Sequence, residues 1–248
     1  MELASRVDSE VSKPFSKQDK GLLLELYREA FGSLNGLSMK CPSCKHDAFV
    51  SLSIWLKNNS LMSTSKLNLF TSYYQDKSPE RQKEIDFCIN FNRNSGFFDN
   101  VITIEGRRPT YKDFFELTKQ YPDHVNVIAN SDIFFNETIL QAKGIRSVQC
   151  YALSRWDYVK GGMIKSWCRK DSQDAWIFRG RCLFQGGDFY TGTPGCDNRI
   201  AYELKQAGYM VTNPSKRIKA IHLHLSDVRN YTNLEKVDKP YLMVEPCH

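Results

Sequence analysis

Four sets of residues in this chain have types and spacings that could do chemistry. The first is Asp132 in ANSDIF, residues 129–134. It follows the apolar run Val125 to Ala129 and precedes a second run, Ile133 to Phe135. A strand ending in this polar step delivers Asp132, with Asn130 and Ser131, to the carboxyl edge of a sheet, where open α/β folds bind ligands. A carboxylate there suits a divalent metal or a phosphate-handling role, and the same stretch also reads as an Asp in a turn between buried strands. The second set is His222 and His224, which alternate with Ile221, Leu223 and Leu225 and so share one face of a strand. Together with a strand-end Asp they could surround one ion, and imidazole with carboxylate is compatible with manganese bridging a diphosphate. The other reading of the pair is one histidine satisfied in the core and one exposed.

The third set is Asp197, which follows the turn Thr193-Pro194-Gly195 and opens a helix with Ile200, Ala201, Leu204 and Ala207 on its apolar side. An Asp at that position is expected to cap the helix, whatever else it does. The fourth is CPSC, with Cys41 and Cys44 at the spacing of half a structural zinc site. His46 is close in sequence, and a distant residue such as Cys247 or His248 would have to complete the site. A redox pair and a cysteine-bearing turn packed on helices are the other readings of CPSC.

The elements that must hold these residues begin with a helix from about Ser16 to Phe31, striped by Leu22, Leu23, Leu26, Tyr27 and Ala30. A short helix is expected over Asp47 to Lys57, and the polar stretch Leu56 to Ser65 marks a boundary. The reading is therefore a helical extension over residues 1–65 and a larger α/β domain over 66–248. In the larger domain, residues 67–74 form a first strand that leaves Thr71 and Ser72 near its exit. Ser78 and Pro79 open a helix with Glu80 and Arg81 in its first turn. VITIE, residues 101–105, makes a second strand ending at Glu105, and a helix over Tyr111 to Gln120 leads to the strand before Asp132. Strand, helix, strand, helix, strand is the rhythm of a parallel sheet covered by helices. Ser147 to Leu153 adds a strand, with Ser154 to Asp157 at its end and a loop from Gly161 and Gly162. Asp174 precedes the apolar run Ala175 to Phe178.

With 248 residues, 41% of them hydrophobic and 25% charged, the chain can bury a full core. No apolar run approaches membrane-spanning length, and the N-terminus lacks signal-peptide character, so an intracellular, cytoplasmic protein is expected, in the host cytoplasm if it is viral. The eight cysteines are mostly scattered and read as reduced thiols. A formal charge of +6 fits anionic partners such as nucleotides or nucleic acid. Neither GxGxxG nor GxxxxGKS follows the first strand, which argues against a dinucleotide dehydrogenase and a P-loop enzyme.

Over residues 66–226 this ordered set resembles the nucleotide-sugar-dependent glycosyltransferases of GT-A fold. That resemblance implies an α/β, GT-A-like and Rossmann-related mixed sheet flanked by helices. It also implies a strand-end acid, here Asp132 in NSDIF, that holds manganese or magnesium on the donor diphosphate. Asn130 stands where the first acid of the usual pair would be, so the implied metal set is Asp132 with a later histidine, His222 or His224. GCDNRIAYELKQAGYMV resembles the segment that carries the base of inverting members, with Asp197 as the base and Cys196 where a Glu often stands. In a retaining enzyme Asp197 would instead position substrate. Thr71, Ser72, Arg81, Glu105 and Asn130 are candidate donor-site residues, although a surface salt bridge is the commoner role for a residue like Arg81, and Arg199 is a further phosphate candidate. Trp156, Asp174 and Trp176 are candidates for the acceptor.

The expected partners are a nucleotide-sugar donor, UDP-linked by preference, and a glycan, protein or modified nucleic-acid acceptor. A homo-oligomer through the N-terminal extension is a further expectation. Three alternatives accompany the main reading. One is a glycosyltransferase acting on hydroxylated bases of DNA, with residues 215–219, SKRIK, on the backbone. Another is a metal-dependent nucleotidyltransferase, which would want a basic, glycine-rich loop that LFTSYYQDKSPER does not supply. The last is a non-catalytic nucleic-acid-binding protein.

Overall fold

The computed structural model describes residues 65–226, 228 and 236–247. The expected N-terminal helices, the Cys41/Cys44 pair, His46 and His248 lie outside the described residues. Ser65–His248 forms one compact unit.

Its main sheet has six strands in the order β2-β1-β3-β8-β5-β9. β1 (Leu67–Tyr73), β2 (Asn100–Glu105) and β3 (Val125–Ala129) run parallel, joined through α1 (Pro79–Asn94) and α2 (Tyr111–Thr118). β8 (Ala175–Arg179) is antiparallel to β3 and to β5 (Gln149–Leu153), and β9 (Met210–Thr212) runs parallel to β5. The sheet is thus mixed, and the wholly parallel rhythm read from the first half stops at β3. β3 is buried at every position, as a strand covered on both faces must be. Its alternate side chains serve two cores: Val125, Val127 and Ala129 on one face, Ile128 on the other. The second core takes Tyr111, Phe114 and Phe115 from α2, and Ile200 and Leu204 from α3 (Cys196–Gln206).

A second sheet, β4-β10-β6-β7, is absent from the sequence reading. It joins β4 (Ile133–Phe135), β10 (Ala220–His222), β6 (Arg155–Tyr158) and β7 (Ile164–Ser166). RWDY, read as the polar end of a strand, is itself a strand, and the loop expected at Gly161 and Gly162 is the connection of a β6–β7 hairpin. Both glycines have positive φ, the conformation that costs glycine least.

Helix ends agree with local chemistry. Ser78 caps α1, with Pro79 beginning the helix, and Thr110 and Asp113 form a reciprocal capping box on α2. At α3 the expectation is corrected. The N-cap is Gly195 at φ 81°, no side chain caps the helix, and Asp197 sits one residue inside it. The positive φ favours glycine there, and a Cβ would also come within 2.6 Å of the Tyr241 hydroxyl and have to displace it.

Candidate active site at the carboxyl edge

β3 ends at Ala129, and the chain then steps through Asn130, Ser131 and Asp132 into β4 of the second sheet. Asp132 therefore stands at the seam between the two sheets. α1 fixes that seam. Buried Asn92 donates to the Ile133 carbonyl at 2.9 Å and accepts from the Phe135 amide at 3.1 Å. Arg81, only 6% exposed, bonds the Asp132 carboxylate, the Glu84 carboxylate (2.9 Å) and the Leu223 carbonyl (3.0 Å). Glu84 in turn accepts from the Leu225 and Ser226 amides at 2.6 and 2.7 Å, which pins the chain beyond β10. The surface salt bridge considered for Arg81 is thus replaced by a buried role beside Asp132.

β10 brings in the histidines. His222 lies in register with Asp157 of β6 and Ile133 of β4. Its Nε2 is 3.2 Å from Asp132 Oδ2, and its Nδ1 is 3.1 Å from Asp157 Oδ1. Flanked by two carboxylates, the ring can donate from both nitrogens. Burial opposes its charge, yet Asp132 and Asp157 outweigh burial and lift its pKa to about 9. Burial likewise opposes the charge on Asp132, but His222 and Arg81 together hold that carboxyl well below the usual range. His224 follows β10 with its ring centroid 5.5 Å from that of His222. Burial, Arg81 and His222 depress its pKa, so its ring is neutral near pH 7.

Donor atoms of Asp132, His222 and His224 lie within 4.8 Å of one another, and this group could bind a metal ion. The fit is supported by an orphan. Asp132 Oδ1 is buried and has no hydrogen-bond partner, while Oδ2 serves Arg81 and His222. One carboxylate and two imidazoles are a donor set that suits first-row divalent ions. Binding would require His222 to give up a proton, and it would bring the ion close to the Arg81 charge.

From Asp132 the polar set continues toward α3. Asn130 donates to Asp174 Oδ1 at 3.0 Å, and Arg155 Nη1 lies 3.8 Å from the same oxygen. Arg155 also donates to Asp157 at 2.8 Å. Burial raises the pKa of Asp174, the negative charge of Asp132 adds to the rise, and Arg155 and His222 partly offset it. Asp197 comes next. Burial and then the Asp174 charge raise its pKa to about 7, against hydrogen bonds from Cys196 and the Gln173 amide. Cys196 Sγ lies 3.1 Å from Asp197 Oδ1 and 3.7 Å from the Tyr111 hydroxyl. Burial, with Asp197 beside it, keeps the Cys196 thiol protonated.

The structure therefore brings together Arg81, Asn130, Asp132, Asp174, Asp197, His222 and His224. Thr71, 2% exposed with an unpartnered hydroxyl, is buried near the carboxyl end of β1, and Ser72 follows it half-buried. Glu105 is set apart, exposed at the end of edge strand β2 and accepting from Thr103 at 3.1 Å. Trp176 is 1% exposed and packs edge-on against Tyr111 in the core. It has no open face for an acceptor. Trp156 donates to the Ser215 carbonyl at 2.7 Å beneath Lys219, on the face of β6 turned away from Asp157. Arg199 pairs with Glu203 and the Asp238 and Lys239 carbonyls rather than with this cluster.

Sequence reasoning did not single out Glu84, Asn92, Arg155 or Asp157 as site residues. The signals for the last two were the alternation in RWDY and the double glycine of a hairpin. The chain matches no family model, and no curated protein matches it.

Proposed function

We propose that the protein is a glycosyltransferase that moves a sugar from a nucleoside-diphosphate sugar, UDP-linked by preference, to an acceptor hydroxyl with inversion. One observation carries this reading: a metal-capable group around Asp132 is followed, through Asn130 and Asp174, by Asp197, whose carboxyl is raised to about 7. Loss of a nucleoside diphosphate builds negative charge on the leaving phosphate, and charges already fixed in place stabilise it best. Arg81 and protonated His222 supply such charge at Asp132. A manganese or magnesium ion held by Asp132, His222 and His224 would replace the His222 proton and supply charge stabilisation of the same kind.

Asp197 is the base. A carboxyl raised to about 7 is half-deprotonated near neutral pH and is a stronger proton acceptor than an ordinary carboxylate. Cys196 and the Gln173 amide orient it, and Asn130 and Arg155 hold Asp174 beside it. The test is release of UDP from a panel of UDP-sugars with wild type, Asp132→Asn and Asp197→Asn, each shown to be folded. Wild-type turnover that falls about 10²-fold or more in Asp197→Asn is expected for loss of a general base. Turnover unchanged in both variants would refute the assignment.

A further inference from the structure

We infer that Trp167 is the platform for the acceptor and that the acceptor is an acidic saccharide. The inference rests on the transferase reading of the site above. In the β6–β7 hairpin, Trp156 pairs with Ser166 and Asp157 with Lys165, and the Trp167 amide donates to the Arg155 carbonyl at 3.1 Å. Opposed residues of an antiparallel pair share a face, so Arg155, Asp157, Lys165 and Trp167 all lie on the side where Asp157 meets His222. The Arg155 guanidinium is 4.9 Å from the Trp167 ring centroid and reaches Asp174, which neighbours Asp197. Trp167 is nevertheless 40% exposed. An indole joined to the candidate base through Arg155 and Asp174, and exposed although two guanidinium groups lie over its ring, offers apolar surface for a sugar ring whose hydroxyls stay at its rim.

The charges around it select the acceptor. From Arg155 to Lys170 the chain carries Arg155, Lys160, Lys165, Arg169 and Lys170 against Asp157 alone. Arg155 is committed to Asp157 and Asp174. Lys165 has no ion pair among the described residues, and the Arg169 guanidinium, 5.7 Å from the Trp167 centroid, is held at the surface by half-buried Asp171 through two hydrogen bonds of 2.8 and 2.6 Å. Lys165 is therefore available to a carboxylate, sulfate or phosphate on the sugar, and Arg169 could reach the same group by exchanging its surface pair with Asp171 for it. A single-stranded nucleic acid would use successive aromatic faces. The other tryptophan of this hairpin, Trp156, is turned to the opposite face and hydrogen-bonded to Ser215.

Titration calorimetry on the full chain would use tetragalacturonate, neutral maltotetraose and oligothymidylate as probes. Wild type is expected to bind tetragalacturonate, Trp167→Phe to retain binding, and Trp167→Ala to weaken it about tenfold or more. Lys165→Gln and Arg169→Gln should weaken tetragalacturonate binding and leave any maltotetraose binding unchanged. Absence of tetragalacturonate binding, equal binding by Trp167→Ala, or a preference for maltotetraose or oligothymidylate would overturn the inference. Nucleotide binding by the same variants separates the two claims. Saccharide binding through Trp167 without any nucleotide binding would leave the platform standing and remove the transferase reading.

Discussion

The two ends of the central strands handle buried polar groups in opposite ways. At the amino end Asn68 donates to Asn126 and to the His124 ring and accepts from Asn100, while Asn126 donates to the Tyr121 and Gly180 carbonyls. Every side-chain polar atom of Asn68 and Asn126 is matched. At the carboxyl end the buried atoms Thr71 Oγ1, Asp132 Oδ1, Asp174 Oδ2 and Trp176 Nε1 have no partner, and Asn198 Oδ1 of α3 joins them. A buried polar atom without a partner costs free energy, so such atoms are expected to be matched when stability is all that matters. The amide ladder holds strands in register, whereas the unmatched atoms at the other end include oxygens of the candidate site residues Thr71, Asp132 and Asp174.

That contrast can be broken most forcefully at Asp132. Its removal leaves Arg81 with Glu84 alone and His222 with Asp157 alone, and a buried charge that loses a partner costs up to about 3–5 kcal/mol. Asp132→Ala should lose stability on that scale in urea denaturation, together with any nucleotide binding. Asp132→Asn, which keeps the volume, should bind no nucleotide while remaining folded.

A second pair of variants addresses the contrast itself. Asn126→Ala orphans groups that are now matched and should cost about 1–3 kcal/mol with nucleotide affinity unchanged. Thr71→Val, similar in shape, removes a hydroxyl that already lacks a partner. It should leave stability within about 1 kcal/mol of wild type or raise it. Any loss in Thr71→Val should therefore appear in binding, and the reverse pattern would break the comparison.

Acidity gives a third prediction. Folding raises the Asp197 carboxyl from 3.8 to about 7, so between those values the folded chain holds a proton that the unfolded chain has released. The stability from this group is full below about 3.8 and is lost as pH rises through about 7. Turnover should change in the opposite sense, rising with the deprotonated base through about pH 7. Asp197→Asn should abolish both dependences. His222, raised from 6.5 to about 9, stabilises the fold below 6.5 and loses that contribution as pH rises through about 9.

Cys196→Ala should have the smallest effect. It removes one hydrogen bond that favours the Asp197 carboxylate. The acid limb of the turnover profile should move to higher pH, and Cys196→Ser should restore it.

Much of the carboxyl edge was legible in the sequence because its residues sit where apolar runs stop. Val125 to Ala129 announces β3, and Asp132 follows directly. Alternation in IHLHL sets both histidines on one face, even though β10 ends at His222. The second sheet was harder to see. β4, β6, β7 and β10 are each three or four residues long, and the partners of β10 are distant in sequence. Strands that short carry almost no periodicity, so RWDY read as an end rather than an element. Arg81 was misjudged because a charged residue in a first helical turn is usually solvated, and its burial depends on Asp132 and Leu223, which only the fold brings near. Trp176 lies in an apolar run and Trp167 among cations, and it is the second that is exposed. Among the described residues no helix is long and apolar enough to cross a membrane, as the hydropathy indicated.

The central claim is that the Asp132 edge receives a nucleoside diphosphate with a divalent ion. Calorimetric titration of UDP, GDP, CDP and ADP into wild type and Asp132→Asn, each with and without manganese, tests it most directly. The account predicts that wild type binds one of these nucleotides in preference, UDP first, that manganese strengthens the binding, and that Asp132→Asn abolishes it. Folded wild type that binds none of the four, or binding that is indifferent to both manganese and Asp132, would contradict it.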